Sequence, residues 1–291
     1  MFRKFLITAG LLSLLPLLFG FTGRWLPLGE SLAVFRLPNV MAACILIPLF
    51  WRNKYLYPVL AFIVLSMGSM AIHYMPQKIN DQNAYRLYQK NMLFSIKNTG
   101  PLKADILASD ADFITLQEVT NKNLVFLTEL KDRFPSQHTC PFASVGNVSV
   151  LSRWPDMGES KCFDKDSMTA MKVKTPEGPV WVISIHLYWP YPHGQAEQVE
   201  KLVKHIESLE GPKIIAGDFN MVPWSYTLKA FERASDTNLA GATLHSFDLP
   251  YIPMSTPIDH VLVPESSQSK IQRRDKLGSD HYGILAEFNL P

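Results

Sequence analysis

A carboxylate and a carboxamide stand two residues apart at Asp218 and Asn220, after an apolar run over residues 214–216 that ends at Gly217. Residues two apart in an extended chain point to one side, so these two side chains could together hold a metal ion, a water molecule or a phosphate oxygen. An Asx-type turn leaving a buried strand would use the same residues. This stretch alone leaves both interpretations open.

Similar polar residues stand where other predicted strands end or begin. Taken singly, each is better explained by a turn, by capping or by packing. Together they favour a shared site, because the ends of neighbouring strands meet at a common edge of a sheet. The five positions are Glu118, His186, Asp218 with Asn220, Asp259, and Asp280 with His281.

The elements that must position these residues follow from the pattern of residues 77–291. Short β-rich runs, bounded by Gly and Pro, alternate with segments of helical periodicity. The segment Gln195–Leu209, for example, has apolar residues at Val199, Leu202 and Ile206, which predicts a helix with one buried face. The pattern predicts an α/β fold in which two packed sheets are covered by helices.

In chain order, these stretches resemble the motifs of the endonuclease/exonuclease/phosphatase superfamily, which includes nucleases, inositol-polyphosphate phosphatases and neutral sphingomyelinases. The resemblance covers roughly residues 85–289, and the ordered set is more specific than any single motif. The matching stretches are Asn91, Leu-Gln-Glu118, Val-Leu-Ser-Arg153-Trp-Pro, Ser-Ile-His186-Leu, Gly-Asp218-Phe-Asn220, Ile-Asp259-His-Val-Leu and Gly-Ser-Asp280-His281.

The resemblance implies a four-layer α/β/β/α sandwich of two mixed sheets, with a Mg²⁺-dependent phosphoesterase site on one edge and Mn²⁺ as an alternative ion. It implies that Glu118 binds the metal, with Asn91 and Asp280 nearby. Asp218 would activate the attacking water, and Asn220 would hydrogen-bond the phosphate. Oxygen donors of this kind are the ligands that Mg²⁺ prefers.

The resemblance also assigns roles to the histidines. His281, supported by Asp259, would contact the phosphate, and His186 would contact the phosphate or assist the leaving group. Arg153 and Tyr188 are the predicted substrate-binding residues. The loop after His186 is aromatic, and it could stack on a base or sugar, lie against a lipid interface, or simply pack.

Charge distribution narrows the substrate class. Residues 1–76 contain six of the 28 Lys and Arg residues and one of the 26 acidic residues, so residues 77–291 have 22 basic and 25 acidic residues, a net charge of −3. This region lacks the basic stripe of a nucleic-acid-binding protein. We therefore expect a phosphoesterase acting on a lipid headgroup or a small phosphorylated molecule. A nuclease is the alternative, and a non-catalytic binding module is a remote third.

Residues 1–76 predict a membrane region that precedes a catalytic domain at 77–291. Three apolar runs, Phe5–Phe21, Leu37–Trp51 and Tyr55–Met75, predict about three crossings. A signal peptide fits less well because no small-residue cleavage site follows the first run. Buried core helices fit less well because the runs have no polar face.

The charges flanking these runs predict the orientation in the cytoplasmic (inner) membrane. Arg3 and Lys4, together with the turn 52–54, favour the inner side, which places the catalytic domain on the outer face. Arg24 and Arg36 oppose this orientation, and two crossings would reverse it. A disulfide between Cys140 and Cys162 would fit an oxidising outer compartment, and two unrelated buried thiols are the alternative.

Overall fold

The computed structural model describes residues 2–77, 79, 84–142, 145–163, 167–250 and 253–291. Short 3₁₀ helices lie at Ile47–Phe50, Ile72–Tyr74 and Asn121–Asn123. The α-helices are α1 (Phe2–Leu12), α2 (Leu15–Phe19), α3 (Pro27–Val34), α4 (Arg36–Leu46), α5 (Leu56–Ala71), α6 (Gly100–Ala108), α7 (Leu124–Glu129), α8 (Gln195–Glu207) and α9 (Tyr226–Ser235). The strands are β1 (Tyr85–Asn91), β2 (Phe113–Val119), β3 (Ser136–Pro141), β4 (Asn147–Ser152), β5 (Asp156–Phe163), β6 (Met168–Thr175), β7 (Gly178–His186), β8 (Lys213–Asp218), β9 (Thr237–Leu239), β10 (Phe247–Asp248), β11 (Ser255–Thr256), β12 (Asp259–Pro264), β13 (Ser269–Arg274) and β14 (Gly283–Phe288).

The α/β region, residues 84–291, contains two mixed six-stranded sheets. Their strand orders are β13-β14-β1-β2-β4-β3 and β5-β6-β7-β8-β12-β9. One apolar core lies between the sheets, and a further core on each outer face packs against helices. Leu87 and Val182, for example, meet between the sheets, whereas Ile106 of α6 and Leu202 of α8 cover opposite outer faces. The predicted four-layer sandwich is confirmed.

Strand direction brings the polar strand ends together. The parallel pair β1 and β2 and the parallel pair β7 and β8 all end at one edge of the sandwich, and β12 and β14 begin there. We call this edge the site edge. Asp259 at the start of β12 pairs with Asp218 at the end of β8, and His186 pairs with Asp218 from the other side.

The front helices, residues 2–74, differ from the three continuous runs that the sequence predicted. A turn divides the first run into α1 and α2, and α2 has Pro16, which lacks a backbone N–H, in its first turn. By length and hydropathy, the helix Leu56–Tyr74 (19 residues) could span a membrane, and the pair Pro27–Val34 and Arg36–Phe50, bent by 71°, would make a second candidate if it counts as one span. The number of crossings stays a prediction.

The front helices form a bundle with two distinct ends. At one end, Arg3 donates a hydrogen bond to the carbonyl oxygen of Trp51 (3.0 Å), so the basic residues of 3–4 and 52–54 lie together. At the other end, Arg36 donates to the carbonyl oxygen of Gly20 (2.7 Å) and to Ser69 Oγ (3.3 Å). This second end packs against the α/β region.

A carboxylate joins the front helices to α9. Glu30 is buried, and its two oxygens accept hydrogen bonds from the backbone N–H groups of Tyr226 (3.0 Å) and Thr227 (2.9 Å). These N–H groups lie in the first turn of α9 and have no partner within that helix, so Glu30 caps it from a distant part of the chain. Trp224 donates to the carbonyl oxygen of Ala33 (2.9 Å) beside this contact.

Cys140 of β3 and Cys162 of β5 form a disulfide with 22 residues of sequence separation, which resolves the alternative that the sequence left open. The bond joins edge strands of the two sheets near the site edge. Replacing both cysteines by serine should lower the free energy of unfolding by about 3 kcal/mol, because the unfolded chain loses a closed loop of this length. Thermal unfolding of the full chain in detergent measures the change. Cys44→Ser, at an exposed free cysteine, is the control, and equal stability of the double variant and the wild type would contradict the prediction.

Candidate active site

Asp218 lies at the centre of the site edge, at the end of β8. Its Oδ1 accepts a hydrogen bond from the backbone N–H of Asn220 (2.9 Å), and its Oδ2 accepts one from Asn91 Nδ2 (3.0 Å). A Cβ atom on the preceding Gly217 would collide with the carbonyl oxygen of Ile185, so glycine is required where β7 and β8 approach. The strand continues through Gly217 to Asp218, one residue beyond the glycine at which the apolar run ends.

The chain turns at Asn220 into the left-handed region, with φ of 48°. Its Nδ2 donates to the carbonyl oxygen of Leu187 (2.8 Å), and its Oδ1 is buried without a hydrogen-bond partner among the described residues. Burial raises the pKa of Asp218 to about 7. A carboxyl group with this pKa is suited to accept a proton from water near neutral pH.

Glu118 reaches the site edge through an irregularity in β2. The register with β4 shifts between Leu116 and Val119, and Glu118 has φ of 59°, a strained value of the kind that structures keep at functional sites. Its Oε1 accepts from Asn91 Nδ2 (3.1 Å), and its Oε2 accepts from the backbone N–H of Phe94 (2.7 Å). Burial raises the pKa of Glu118.

Asp259 and His281 form a buried pair beside Asp218. His281 Nδ1 and Asp259 Oδ2 are 2.7 Å apart, Gln89 Nε2 donates to Asp259 Oδ1 (2.8 Å), and His281 Nε2 lies 3.7 Å from Asp218 Oδ2. Burial alone would lower the pKa of His281, but the carboxylates of Asp259 and Asp218 outweigh it and raise this pKa to about 9. His281 therefore carries a positive charge at neutral pH.

His186, at the end of β7, has the opposite ionisation. Its Nε2 lies 3.5 Å from Asp218 Oδ2 and 4.0 Å from Glu118 Oε1. Burial lowers the pKa of His186 to about 4, so the ring is neutral at pH 7. Its Nδ1 is buried and has no hydrogen-bond partner within the described residues. The site thus presents one charged and one neutral imidazole on either side of Asp218.

Two further buried residues support the site through hydrogen bonds and were not predicted from the sequence. Gln89 links Asp259 to Gln117 (3.0 Å), and strand alternation places it on the same face as Asn91, which could have identified it. Lys90 points to the opposite face, is fully buried, and donates through Nζ to the carbonyl oxygen of His281 (2.6 Å). Burial lowers the pKa of Lys90 to about 8. Nothing in the sequence distinguishes this residue from an exposed strand lysine.

Asp280 and Arg153 are placed differently from the residues above. Asp280 is exposed beside His281, and its charge contributes to raising the pKa of both His281 and Glu118. Arg153 follows the end of β4, which runs antiparallel to β2 and therefore ends at the opposite edge. There it pairs with Asp110 (2.6 Å) and Asp112 (3.3 Å). The structure therefore does not bring Arg153, a predicted substrate-binding residue, together with the other predicted site residues.

Aromatic rings surround the two histidines. Phe142 lies 5.3 Å from the His186 ring and 5.4 Å from the Tyr188 ring, measured between centroids. Phe247 lies 4.8 Å from the His281 ring. Tyr188, a predicted substrate-binding residue, is partly exposed at this edge. Apolar walls of this kind limit the access of water and strengthen the electrostatic interactions at the reacting groups.

The residues at the site edge fit a divalent cation. Glu118 is a partly buried and Asp218 a fully buried carboxylate, both with raised pKa values, so a hard cation would find oxygen donors and supply positive charge between them. Asn91 lies between the two and turns its Nδ2 group toward both. One ligand atom each of Asp218, Asp259 and His281 also lie within 4.8 Å of one another. However, Asp259 and protonated His281 already hydrogen-bond each other, which leaves the Glu118 side as the better position.

His260 gives a test of how burial affects stability next to the site. Its Nε2 hydrogen-bonds the carbonyl oxygen of Met221 (2.7 Å), and burial lowers its pKa to about 4. The unfolded chain takes up a proton near the ordinary value of about 6.5, so the folded state loses stability as pH falls from 6.5 through 4. The free energy of unfolding should fall by about 3 kcal/mol over this pH range.

Thermal unfolding of the full chain between pH 4 and 7 measures this effect. His260→Gln keeps an N–H donor for Met221 but does not titrate, and it should flatten the dependence on pH. His193→Gln, on the surface, serves as the control. An unchanged slope in His260→Gln would contradict the assignment.

Comparisons with solved structures find proteins of similar fold. The structure resembles truncated TDP2 of Caenorhabditis elegans (TM-score 0.57, 15% identity, 72% of this chain and 99% of that chain). It also resembles an endonuclease/exonuclease/phosphatase of Beutenbergia cavernae (TM-score 0.57, 17% identity, 71% and 72%) and sphingomyelinase C of Streptomyces griseocarneus (TM-score 0.51, 16% identity, 71% and 99%). At these identities, the likeness concerns the fold.

Comparison with curated proteins gives no match. The family model described as "Endonuclease/Exonuclease/phosphatase family" matches residues 89–281, about two thirds of the chain. The match begins at Gln89, which bonds Asp259, and ends at His281. With its sandwich of two mixed sheets, the chain belongs to the endonuclease/exonuclease/phosphatase family.

Proposed function

We propose that the chain is a membrane-anchored, metal-dependent phosphoesterase that hydrolyses a phosphoester by in-line attack of water. Members of this family are generally hydrolases of phosphate esters. The observation that carries the proposal is the geometry around Asp218, whose Oδ2 lies 3.5 Å from His186 Nε2 and 3.7 Å from His281 Nε2. A buried carboxyl group with a pKa of about 7 stands next to a histidine that is charged at neutral pH and one that is neutral.

Each of these residues has a distinct task in the reaction. Asp218 accepts a proton from the attacking water. Asn220 Oδ1, which has no partner among the described residues, can hold that water by accepting its second O–H. His281, kept protonated and oriented by Asp259, donates from Nε2 to a phosphoryl oxygen as negative charge develops. His186 offers a neutral N–H on the opposite side, toward the phosphate or the leaving group.

The predicted metal ligands are Glu118, with Asn91 and Asp280 nearby. A bound Mg²⁺ or Mn²⁺ would polarise the phosphoryl oxygen and neutralise charge on the leaving oxygen. The hydrogen bond from the Phe94 N–H fixes the Glu118 carboxylate, and its strained backbone aims it at the site edge. Asn91 holds Glu118 and Asp218 at a fixed separation through its single Nδ2 group.

Glu118→Gln tests the metal requirement. The variant should raise the Mg²⁺ concentration that gives half-maximal hydrolysis of bis-p-nitrophenyl phosphate by about tenfold or more, because a charged ligand becomes neutral. EDTA should abolish the wild-type activity. The matched control is Glu197→Gln, on the exposed surface of α8. Hydrolysis in EDTA that equals hydrolysis in Mg²⁺ would exclude the metal-dependent mechanism.

We also propose that residues 1–76 anchor the catalytic domain, residues 77–291, on the outer face of the cytoplasmic membrane. Many large apolar side chains of the front helices are exposed, among them Ile45 (78%) and Leu65 (71%), which suits contact with lipid. Exposed tryptophans lie near both ends, Trp51 by the basic residues and Trp25 by the α/β region, as expected at the two interfaces of a bilayer.

The position of the basic residues supports the orientation. Arg3 and the turn 52–54 lie at the end of the bundle that is remote from the α/β region, which fits a cytoplasmic location. Arg36, which opposed this orientation in the sequence, is buried against Gly20 and stacks over the ring of Phe21 at 4.0 Å. A reporter enzyme that is active only outside the cytoplasm, fused after Pro291, should be active. Activity of a reporter restricted to the cytoplasm would reverse the assignment.

A nuclease is the second candidate, because exposed aromatic side chains such as Tyr188 and Trp189 could stack on bases. The net charge of −3 over residues 77–291 disfavours it. Nicking of plasmid DNA across a salt series compares the two. Rapid nicking that falls steeply with salt would favour the nuclease.

A further inference from the structure

Among the residues that the structure describes, four large aromatic side chains are exposed around the candidate active site. They follow β1 and β7 at the site edge, where Phe94 adjoins Glu118 and Tyr188 comes two residues after His186. The four, which we call the aromatic collar, are Phe94 (50% exposed), Tyr188 (37%), Trp189 (40%) and Tyr191 (55%). Exposed apolar side chains in soluble proteins are normally scattered. Aromatic side chains grouped around the opening of a polar site therefore indicate a surface that binds another molecule or a membrane.

The front helices contact the same edge of the molecule. Ser31 of α3 donates to the carbonyl oxygen of Tyr191 (2.7 Å), directly beside the collar. Tyr74, at the end of the helix Leu56–Tyr74, hydrogen-bonds His245 (2.9 Å) in the segment that leads to β10. Together with the Glu30 contact to α9, these bonds join the front helices to the loops that follow β7, β8 and β9.

This attachment fixes the direction in which the active site opens. The long helix Leu56–Tyr74 extends from the site edge to the basic end of the bundle over about 28 Å at 1.5 Å per residue. That length matches the hydrocarbon core of a bilayer, about 30 Å. Its Tyr74 end, the site edge and the collar would then all lie at the depth of the lipid headgroups, where Trp and Tyr side chains are favoured.

Rings connect the collar to the reacting residues. Trp189 lies 6.0 Å from Phe247, and Phe247 lies 4.8 Å from His281. A substrate whose apolar part remained in the bilayer could therefore bring its phosphate to His281 and Asp218 along a continuous aromatic surface. A nucleic acid would have to enter between the bilayer and a region of net negative charge.

We propose that the aromatic collar rests in the headgroup layer of the membrane that holds the front helices, and that the site takes its phosphoester from a lipid headgroup in that membrane. The inference rests on the proposed function, to which it adds the surface and the substrate class. A lipid reaches the collar by lateral diffusion in the membrane. Its binding therefore does not require the basic groove with which a nuclease attracts nucleic acid.

The first test places a fluorophore in the collar. In full-length Cys44→Ser protein, Trp189→Cys and, as the matched control, Met157→Cys are labelled with bimane and reconstituted in nanodiscs. Met157 is similarly exposed (41%) but lies at the start of β5, at the opposite edge. Lipid spin-labelled at the headgroup should quench emission at position 189 and leave position 157 unaffected. Equal emission from the two positions would overturn the membrane contact.

The second test measures hydrolysis. Full-length protein is mixed with Mg²⁺ and vesicles of equal parts phosphatidylglycerol, phosphatidylethanolamine and phosphatidylcholine, and released headgroup phosphorus is compared with hydrolysis of bis-p-nitrophenyl phosphate. Replacing Trp189 and Tyr191 by serine should lower headgroup release about tenfold more than hydrolysis of the soluble ester, a difference equivalent to about 1.4 kcal/mol. The matched control, Met157→Ser, should change neither.

The outcomes separate this inference from the proposed function. Hydrolysis of bis-p-nitrophenyl phosphate without headgroup release, or plasmid nicking faster than headgroup release, would overturn the lipid substrate and leave the phosphoesterase. Quenching at position 189 without hydrolysis of any ester would overturn the phosphoesterase and leave the collar as a membrane contact. Headgroup release that falls in parallel with soluble hydrolysis in the serine variant would exclude a role of the collar in presenting lipid.

Discussion

Asp218→Asn should lower kcat for bis-p-nitrophenyl phosphate by roughly 10³-fold, within the range of 10²–10⁴ that a positioned general base contributes. The side chain keeps its shape, and its oxygen can still accept the hydrogen bond from the Asn220 N–H, but an NH₂ group replaces the Oδ2 that accepts from Asn91 Nδ2. What is lost is the basic oxygen beside the attacking water.

The stability of this variant separates chemistry from folding. Loss of the hydrogen bond from Asn91 should lower the free energy of unfolding by about 1–3 kcal/mol, so thermal unfolding is used to show that the variant is folded at the assay temperature. Asp132→Asn, on the exposed surface after α7, is the matched control and should retain full activity. An Asp218→Asn protein that is folded and hydrolyses the ester at the wild-type rate would exclude the catalytic interpretation.

His281→Gln and Asp259→Asn should each lower kcat by about 10²–10³-fold, the effect of removing one donor to a developing oxyanion. Asp259 acts through His281, to which it is bonded at 2.7 Å, and it holds the proton on the imidazole at neutral pH. The double variant should therefore be no slower than the slower single variant, since the two residues work as one unit.

A purely structural role for Asp259 predicts a different pattern. In that case, Asp259→Asn would lower the unfolding temperature while kcat of the folded fraction stayed constant, and the losses in the double variant would multiply. Steady-state kinetics and thermal unfolding of the wild type, the two single variants and the double variant distinguish the catalytic from the structural role. His193→Gln, exposed in the loop before α8, controls for the loss of a histidine.

The fold and most of the candidate site could be predicted from the sequence. Short β-rich runs bounded by Gly and Pro predicted the succession of strands and helices, because burial and turn residues act locally on each element. The polar residues at strand ends pointed to a shared edge, and parallel β1, β2 and parallel β7, β8 bring them there. The motif around Asp218 was therefore informative only together with Glu118 and His281.

Arg153 shows where local pattern fails. Like the other family motifs, the one that contains Arg153 follows a predicted strand. However, β4 runs antiparallel to β2, so its end lies at the edge opposite the site edge. Arg153 pairs there with Asp110 and Asp112. The direction of a strand depends on which neighbour it pairs with, and that information is not contained in the strand itself. The break of the first apolar run between α1 and α2 likewise depends on how the front helices pack.

The sequence by itself determined which residues could do chemistry, the α/β layering and the apolar character of the first 76 residues. Only the tertiary structure decided that burial raises the pKa of Asp218 to about 7, and that His281 is charged while His186 is neutral. It also decided that Lys90 donates a hydrogen bond to the carbonyl oxygen of His281. It also decided that the front helices attach at the site edge through Ser31 and Tyr74. Composition and periodicity are local properties of a chain, whereas ionisation and orientation depend on the groups that folding brings within a few ångströms of each other.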